Sequence, residues 1–205
     1  MKKKYVILVS GGDSYSNRED FIQSLRTREM WDLPTETEQK SWKSNLVVEL
    51  GDEYVVDIPT MPNKQNAHYD EWKIWFERHL AVVDQEVTLI GYSLGAMFLA
   101  KYLIENKPHV EIKGLFLLAG PCGTFDDDTG NDCGSFEFDE SELDKLAAAT
   151  DSIAILHSKD DFIVPYEHAL RYQAKLPTAK LVSFEDKNHF LVPELPELVG
   201  LIREL

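Results

Sequence analysis

Three residue types at three places along the chain could together cleave an acyl bond. Ser93 stands at the centre of Gly91-Tyr92-Ser93-Leu94-Gly95. An apolar, largely β-branched run (Val87, Thr88, Leu89, Ile90) precedes it, and a segment rich in helix formers follows as far as Asn106. The pattern is strand, tight turn, helix. Such a turn strains the backbone of its central residue and presses the new helix against the strand it leaves, so glycine is needed on both sides. The serine hydroxyl then stands at the carboxyl end of a strand, above a helix amino terminus. Negative charge developing on a reacting carbonyl oxygen is favoured there.

A serine hydroxyl is a weak nucleophile at neutral pH and needs a base in reach, held by a third group. Six histidines compete for that role. His68 and His79 fall on the helical stretch before the elbow, His109 follows a helix end, His157 closes a strand, and His168 lies inside a helix. Only His189 sits in a loop directly after a strand's carboxyl end. The orienting carboxylate should come from the loop 158–165, which offers both Asp160 and Asp161; one of them is needed for a turn and helix start, and position alone leaves the choice open.

The elements that must position these groups alternate. Strands are expected at Tyr5 to Val9, Tyr54 to Ile58, Val87 to Ile90, Lys113 to Ala119, Ser152 to His157 and Lys180 to Phe184. Helices are expected at Arg18 to Met30 (with Phe21, Ile22 and Leu25 at helical spacing), within Trp31 to Asn45, at His68 to Val83, after the elbow, at Ser141 to Thr150 capped by Asp139 or Ser141, at Tyr166 to Leu176 and at Pro193 to Leu205. This order predicts an α/β fold with a parallel sheet of about six strands covered on both faces. Right-handed crossovers put every strand's carboxyl end on one edge, so the loops carrying Ser93, the aspartates and His189 open on the same side. The aromatic face of Trp72, Trp75 and Phe76, shared with His79 and Leu80, reads as core packing.

At 205 residues the chain suits one domain, 1–205, with a well-buried core. The start, MKKKYVILVSGGD, is basic and then apolar, but the apolar run stops after about six residues and reads as a buried strand instead of a signal. A cytoplasmic protein is therefore expected, with Cys122 and Cys133 as free thiols and no association with membrane. The formal charge of −15 argues against nucleic acid. Phe125 to Asp132 is carboxylate-rich enough to suggest calcium: counted from Asp126, Asp128 and Glu137 fall on ligand positions. Gly130 and Asn131, however, stand where a further ligand and the required glycine belong. No metal and no cofactor are expected, and 120–138 reads as a short, solvated, flexible cap-like loop over a shallow site. Nine carboxylates between Asp126 and Asp144 lead to the further expectation that anionic esters are poorer substrates than neutral ones.

Gly-Tyr-Ser-Leu-Gly after an apolar strand, Asp-Asp-Phe-Ile-Val-Pro after the penultimate strand and Asn-His-Phe after the last resemble the α/β-hydrolase superfamily. The short chain, with its elbow on the third strand, is similar within it to the small retinoblastoma-binding-type serine hydrolases. The resemblance covers essentially the whole chain. It implies a catalytic triad of Ser93, Asp161 and His189, because the acid of such proteins stands four residues before the proline of Val164-Pro165. It also implies an oxyanion hole from the backbone amides of Leu94 and Gly12, although this chain begins that loop Ser10-Gly11-Gly12 where many relatives have His-Gly. The implied activity is carboxylesterase-like cleavage of an ester-type bond in a small acyl substrate; thioester, amide and peptide cleavage are variants of the same chemistry. A protein-binding role on a hydrolase scaffold is the rival reading, and no residue indicates a protein partner.

Overall fold

In the computed structural model, residues 3–28, 41–127, 130–150 and 152–205 are described. β1 (Lys4–Val9) sets the pattern for the sheet: Ile7 and Val9 face one hydrophobic cluster, and Val6 and Leu8 face the other. Successive side chains on a strand point to opposite faces, so an uninterrupted apolar run is what burial on both sides requires. β3 (Glu86–Tyr92), β4 (Glu111–Leu118) and β5 (Ile153–Ser158) follow the same rule. With β2 (Tyr54–Asp57) and β6 (Lys180–Phe184) they form one sheet in the order β2-β1-β3-β4-β5-β6, and every neighbouring pair is parallel. The expected six-stranded parallel sheet is therefore present.

Helices cover both faces. α3 (Tyr69–Leu80), α4 (Leu94–Glu105), α5 (Asp144–Ala149) and α6 (Glu167–Lys175) pack on the face of Ile7 and Val9. α2 (Trp42–Leu50) and α7 (Pro196–Arg203) pack on the opposite face. α2 overlaps the end of the stretch expected to be partly helical and runs on to Leu50. Ser41 caps it through a reciprocal capping box with Ser44, and Gly51 ends it at φ 75°. The other residues expected to share that helix, 31–40, lie outside the described residues.

Local differences have physical causes. α1 (Arg18–Thr27) keeps Leu25 58% exposed and buries Ser24 instead, whose hydroxyl accepts a hydrogen bond from Tyr15. In α3 the buried stripe is Tyr69, Trp72, Phe76 and Leu80. Trp75 turns outward, against the Arg78 guanidinium and the His79 ring, so the core-facing aromatic set excludes it. The helix expected from Ser141 is split into a 3-10 turn (Glu140–Glu142), capped by Asp139, and α5.

Among the described residues of 120–138, several are buried instead of solvated. Phe136 is fully buried against Trp72 and Phe98, and Cys122, Phe125 and Cys133 are buried as well. The Asn131 side chain accepts from the Ser14 amide and the Asp132 carboxylate from the Ser16 amide, which fastens the segment to the loop after β1. Asp128, one of the residues weighed for calcium, lies outside the described residues, and no group that could hold a metal ion occurs among those described. No helix among the described residues is long and apolar enough to cross a membrane.

Candidate active site

The elbow is built as its glycines require. Ser93 has φ 57° and ψ −127°, a conformation that costs a non-glycine residue on the order of 1–3 kcal/mol. Hydrogen bonds on either side hold it there: the Ser93 amide donates to Leu118 O at 2.9 Å, and Ser93 O accepts from the Ala96 amide at 2.9 Å. A Cβ on Gly91 would lie 2.4 Å from Ala96 Cα, and one on Gly95 would lie 2.1 Å from Val9 O. Only glycine at both positions lets α4 lie this close to β3 and β1. The Ser93 side chain makes no capping bond to α4, so its hydroxyl is not committed to the helix. Leu94 opens α4, and its amide is one of the first-turn N–H groups that a helix leaves without an internal acceptor. The loop after β1 approaches from the other side: a Cβ on Gly11 would come within 2.7 Å of Ser93 Cβ, while Gly12 packs against the backbone of Lys64.

Asp161 follows β5 and is buried. Its Oδ1 accepts from the amides of Ile163 and Val164, both at 2.9 Å, and its Oδ2 accepts from His189 Nδ1 at 2.8 Å. Burial alone would raise this carboxyl's pKa. The bonds from His157, His189 and the Val164 amide outweigh it and hold the group well below the usual carboxylate range. A carboxylate only accepts, so Nδ1 of His189 carries a proton, and in the neutral imidazole Nε2 then presents a lone pair. That is the tautomer a general base needs.

The loop bearing His189 is pinned at three points. Lys187 N donates to Ser158 Oγ at 3.0 Å, Asn188 N donates to Asp160 Oδ1 at 2.9 Å, and the Tyr92 hydroxyl donates to His189 O at 2.7 Å. Tyr92 precedes the serine, and its ring centroid is 5.1 Å from that of His189, so it links the elbow to the histidine loop across two intervening strands. Among the described residues no hydrogen bond joins the Ser93 hydroxyl to His189 itself. Contacts of that kind tighten when substrate enters.

The remaining histidines are otherwise engaged or lie elsewhere. His79 pairs with Asp57 at 2.6 Å. His168 accepts from the Cys122 amide, and burial, then the charge of Arg171, push its pKa down to about 4. His157 is different, and nothing in its sequence position announced it. Its Nε2 donates to Val164 O at 2.8 Å and lies 3.3 Å from Asp161 Oδ2, the oxygen that also receives His189. Neither cysteine competes as a nucleophile: burial pushes the Cys122 thiol up to about 12 and that of Cys133 higher still.

Comparison with known proteins agrees with this frame. The family model described as serine hydrolase matches residues 35–194. The ydeN gene product from B. subtilis superimposes with a TM-score of 0.74 at 20% identity, over 98% of this chain and 98% of that one. A meta-cleavage product hydrolase from Pseudomonas fluorescens IP01 gives 0.64 at 12% identity, over 99% and 92%. The mouse alpha/beta hydrolase domain-containing protein 10 gives 0.61 at 14% identity, over 100% and 90%. At these identities the superpositions speak to fold, whereas the family match covers most of the chain. The protein belongs to the serine hydrolase family and is built on the α/β-hydrolase fold.

Proposed function

We propose that the protein is a carboxylesterase-like enzyme in which Ser93, His189 and Asp161 form the catalytic triad. The observation that carries this reading is the buried 2.8 Å bond from His189 Nδ1 to Asp161, on a loop tied by Tyr92 to the strained serine. Ser93 Oγ attacks the ester carbonyl carbon while His189 Nε2 takes its proton. The amides of Leu94 and Gly12 stabilise the negative oxygen of the tetrahedral intermediate. The proton then passes from His189 to the departing alkoxide oxygen, which leaves an acyl-enzyme and an alcohol. Water, deprotonated by the same imidazole, releases the acid and restores the serine. No metal or cofactor takes part in these steps. The unpaired Cys122 and Cys133 fit a reducing compartment, and we place the enzyme in the cytoplasm.

A fluorophosphonate probe tests the assignment. It should label the native chain and not Ser93→Ala, and that variant should lose short-chain ester hydrolysis while its circular dichroism is unchanged. Undiminished turnover by Ser93→Ala would remove the reaction from this site. Turnover of matched ester, thioester, amide and peptide substrates then ranks the acyl classes.

A further inference from the structure

A cavity of about 460 Å³ opens beside the elbow, between the start of α2 and the chain that follows His189. Its walls are joined: Trp42 N donates to Val192 O at 3.1 Å, and Asn45 Nδ2 donates to Pro193 O at 2.9 Å. The lining is mainly apolar (Trp42, Tyr92, Phe190, Leu191, Val192), with Ser41 at its edge and one ammonium, that of Lys43. Leu191 is 59% exposed, so apolar wall area is left without a partner. Tyr92 ties the cavity to the proposed catalytic groups: Lys43 Nζ lies 4.5 Å from the Tyr92 ring centroid, and the His189 ring lies 5.1 Å from the same centroid.

Lys43 is among the described lysines that have no carboxylate partner, and unlike the exposed ones it lines a cavity. With 36 acidic residues against 21 basic ones, lysines readily find carboxylates, as Lys101, Lys113, Lys145, Lys159, Lys180 and Lys187 do. Lys43 is half-buried, and among the described residues no carboxylate pairs with it. Its charged neighbour is another cation, Lys64, on the loop whose backbone packs against Gly12; burial and then that charge push the Lys43 pKa down. The π faces of Tyr92 and Trp42 return only part of the lost hydration. An ammonium held in this way is poised to take an anion.

The acid-rich segment does not oppose this. Asp132 accepts backbone amides, Glu140 pairs with Arg171, and Glu142 pairs with Lys145. Asp126, Asp132 and Glu137 line a separate cavity beside His168 and Arg171, which shares no lining residue with the one at Lys43. The local charge at Lys43 thus favours an anion, whereas the run of carboxylates over 126–144 favours a neutral ester.

We propose that this cavity selects esters carrying a carboxylate at the end of a short apolar arm, with Lys43 receiving the carboxylate and the aromatic and aliphatic walls receiving the arm. The inference rests on the Ser93 reading above and names the substrate class of that site. Full-length Ser93→Ala protein, which cannot turn substrate over, is titrated calorimetrically with monomethyl adipate and with dimethyl adipate, which differ by one methyl group and one charge. At low salt the monoanion should bind about tenfold more tightly, the scale of one charge-assisted hydrogen bond. Adding Lys43→Met should abolish the difference, and Lys43→Arg should keep it, with circular dichroism checking each fold. A second pair, 6-acetoxyhexanoate and its methyl ester, carries the charge on the alcohol half; whichever pair shows the preference identifies the half that fills the cavity. Equal binding within both pairs, or a preference that survives Lys43→Met, overturns the proposal. Failure of the native chain to react with fluorophosphonate is a separate result that counts against Ser93, and the binding comparison is read independently of it.

Discussion

Asp160 and Asp161 are adjacent, yet their partners differ completely. Asp161 receives His189 and two amides, with His157 Nε2 3.3 Å from its Oδ2, whereas Asp160 receives Ser158 Oγ at 2.5 Å and the Asn188 amide at 2.9 Å. Asp160 thus holds the loop in place, and Asp161 holds His189, the proposed base. Asp161→Asn should fold and lose about 10⁴ in kcat, the scale when an amide disturbs the tautomer in a comparable triad. Asp160→Asn retains an acceptor oxygen, and its loss should stay under about tenfold, that is, within the worth of one ordinary hydrogen bond. Steady-state kinetics on the two variants checks the pair; a larger loss at Asp160 would reassign the acid. His157 is expected to act as a positioning residue through Asp161. His157→Phe removes an N–H that bonds Val164 O and lies 3.3 Å from the carboxylate, so kcat/KM should fall about tenfold, the scale of one hydrogen bond. The downfield proton resonance of His189 Nδ1–H should shift at the same time, which a merely loosened core would not produce.

At the scale of elements, the site depends on how closely α4 can approach β1 and β3. Gly95→Ala would set a methyl 2.1 Å from Val9 O and 2.8 Å from Ser10 O, backbone atoms that cannot yield cheaply. The helix must move away, and overpacking of this kind costs about 1–3 kcal/mol. Because α4 carries the Leu94 amide, labelling of Ser93 should slow together with the loss of stability. Gly200 in α7 is the control: a Cβ there meets nothing within 4 Å, and Gly200→Ala should stabilise by roughly 0.5–1 kcal/mol through helix propensity. Urea unfolding of both variants reads out the contrast. Equal effects would mean that helix approach does not limit the elbow.

For the whole molecule, a formal charge of −15 at pH 7 makes self-repulsion a general term opposing the folded state. Salt shortens the Debye length from about 30 Å at 0.01 M to about 10 Å at 0.1 M, so the melting temperature should rise over that range. A flat or falling dependence in thermal melts would show that the surface ion pairs, such as Lys159–Glu185 and Lys187–Glu197, outweigh the excess of acid. The same charge is distributed unevenly: carboxylates gather on the 126–144 side, and Lys43 and Lys64 near Tyr92 and Gly12. Net charge therefore describes the solution behaviour of the molecule and not the local field at its cavity.

The sequence by itself determined the strands, their parallel arrangement and the elbow, because each rests on short-range rules. Apolar runs of strand length alternate with amphipathic stretches, and the turn at Ser93 requires its glycines within a few residues on either side. The distinctive loops after β3, β5 and β6 could be read because a parallel sheet delivers all strand ends to one edge, whatever the details of packing. Tertiary structure alone decided what crosses between distant segments. Ser41 starts α2 through a box of two serines whose spacing is weak evidence in isolation, and Trp75 turns outward from an apolar stripe that included it by periodicity. Phe136 draws the 120–138 segment into the core, although its carboxylates suggested a solvated loop. His157 joins the Asp161 carboxylate because the loop turns back on the end of its own strand, and Lys43 meets Tyr92 because α2 and the histidine loop are bonded together. Local sterics and periodicity are written in neighbouring residues; contacts between segments tens of residues apart exist only once the crossovers have brought them together.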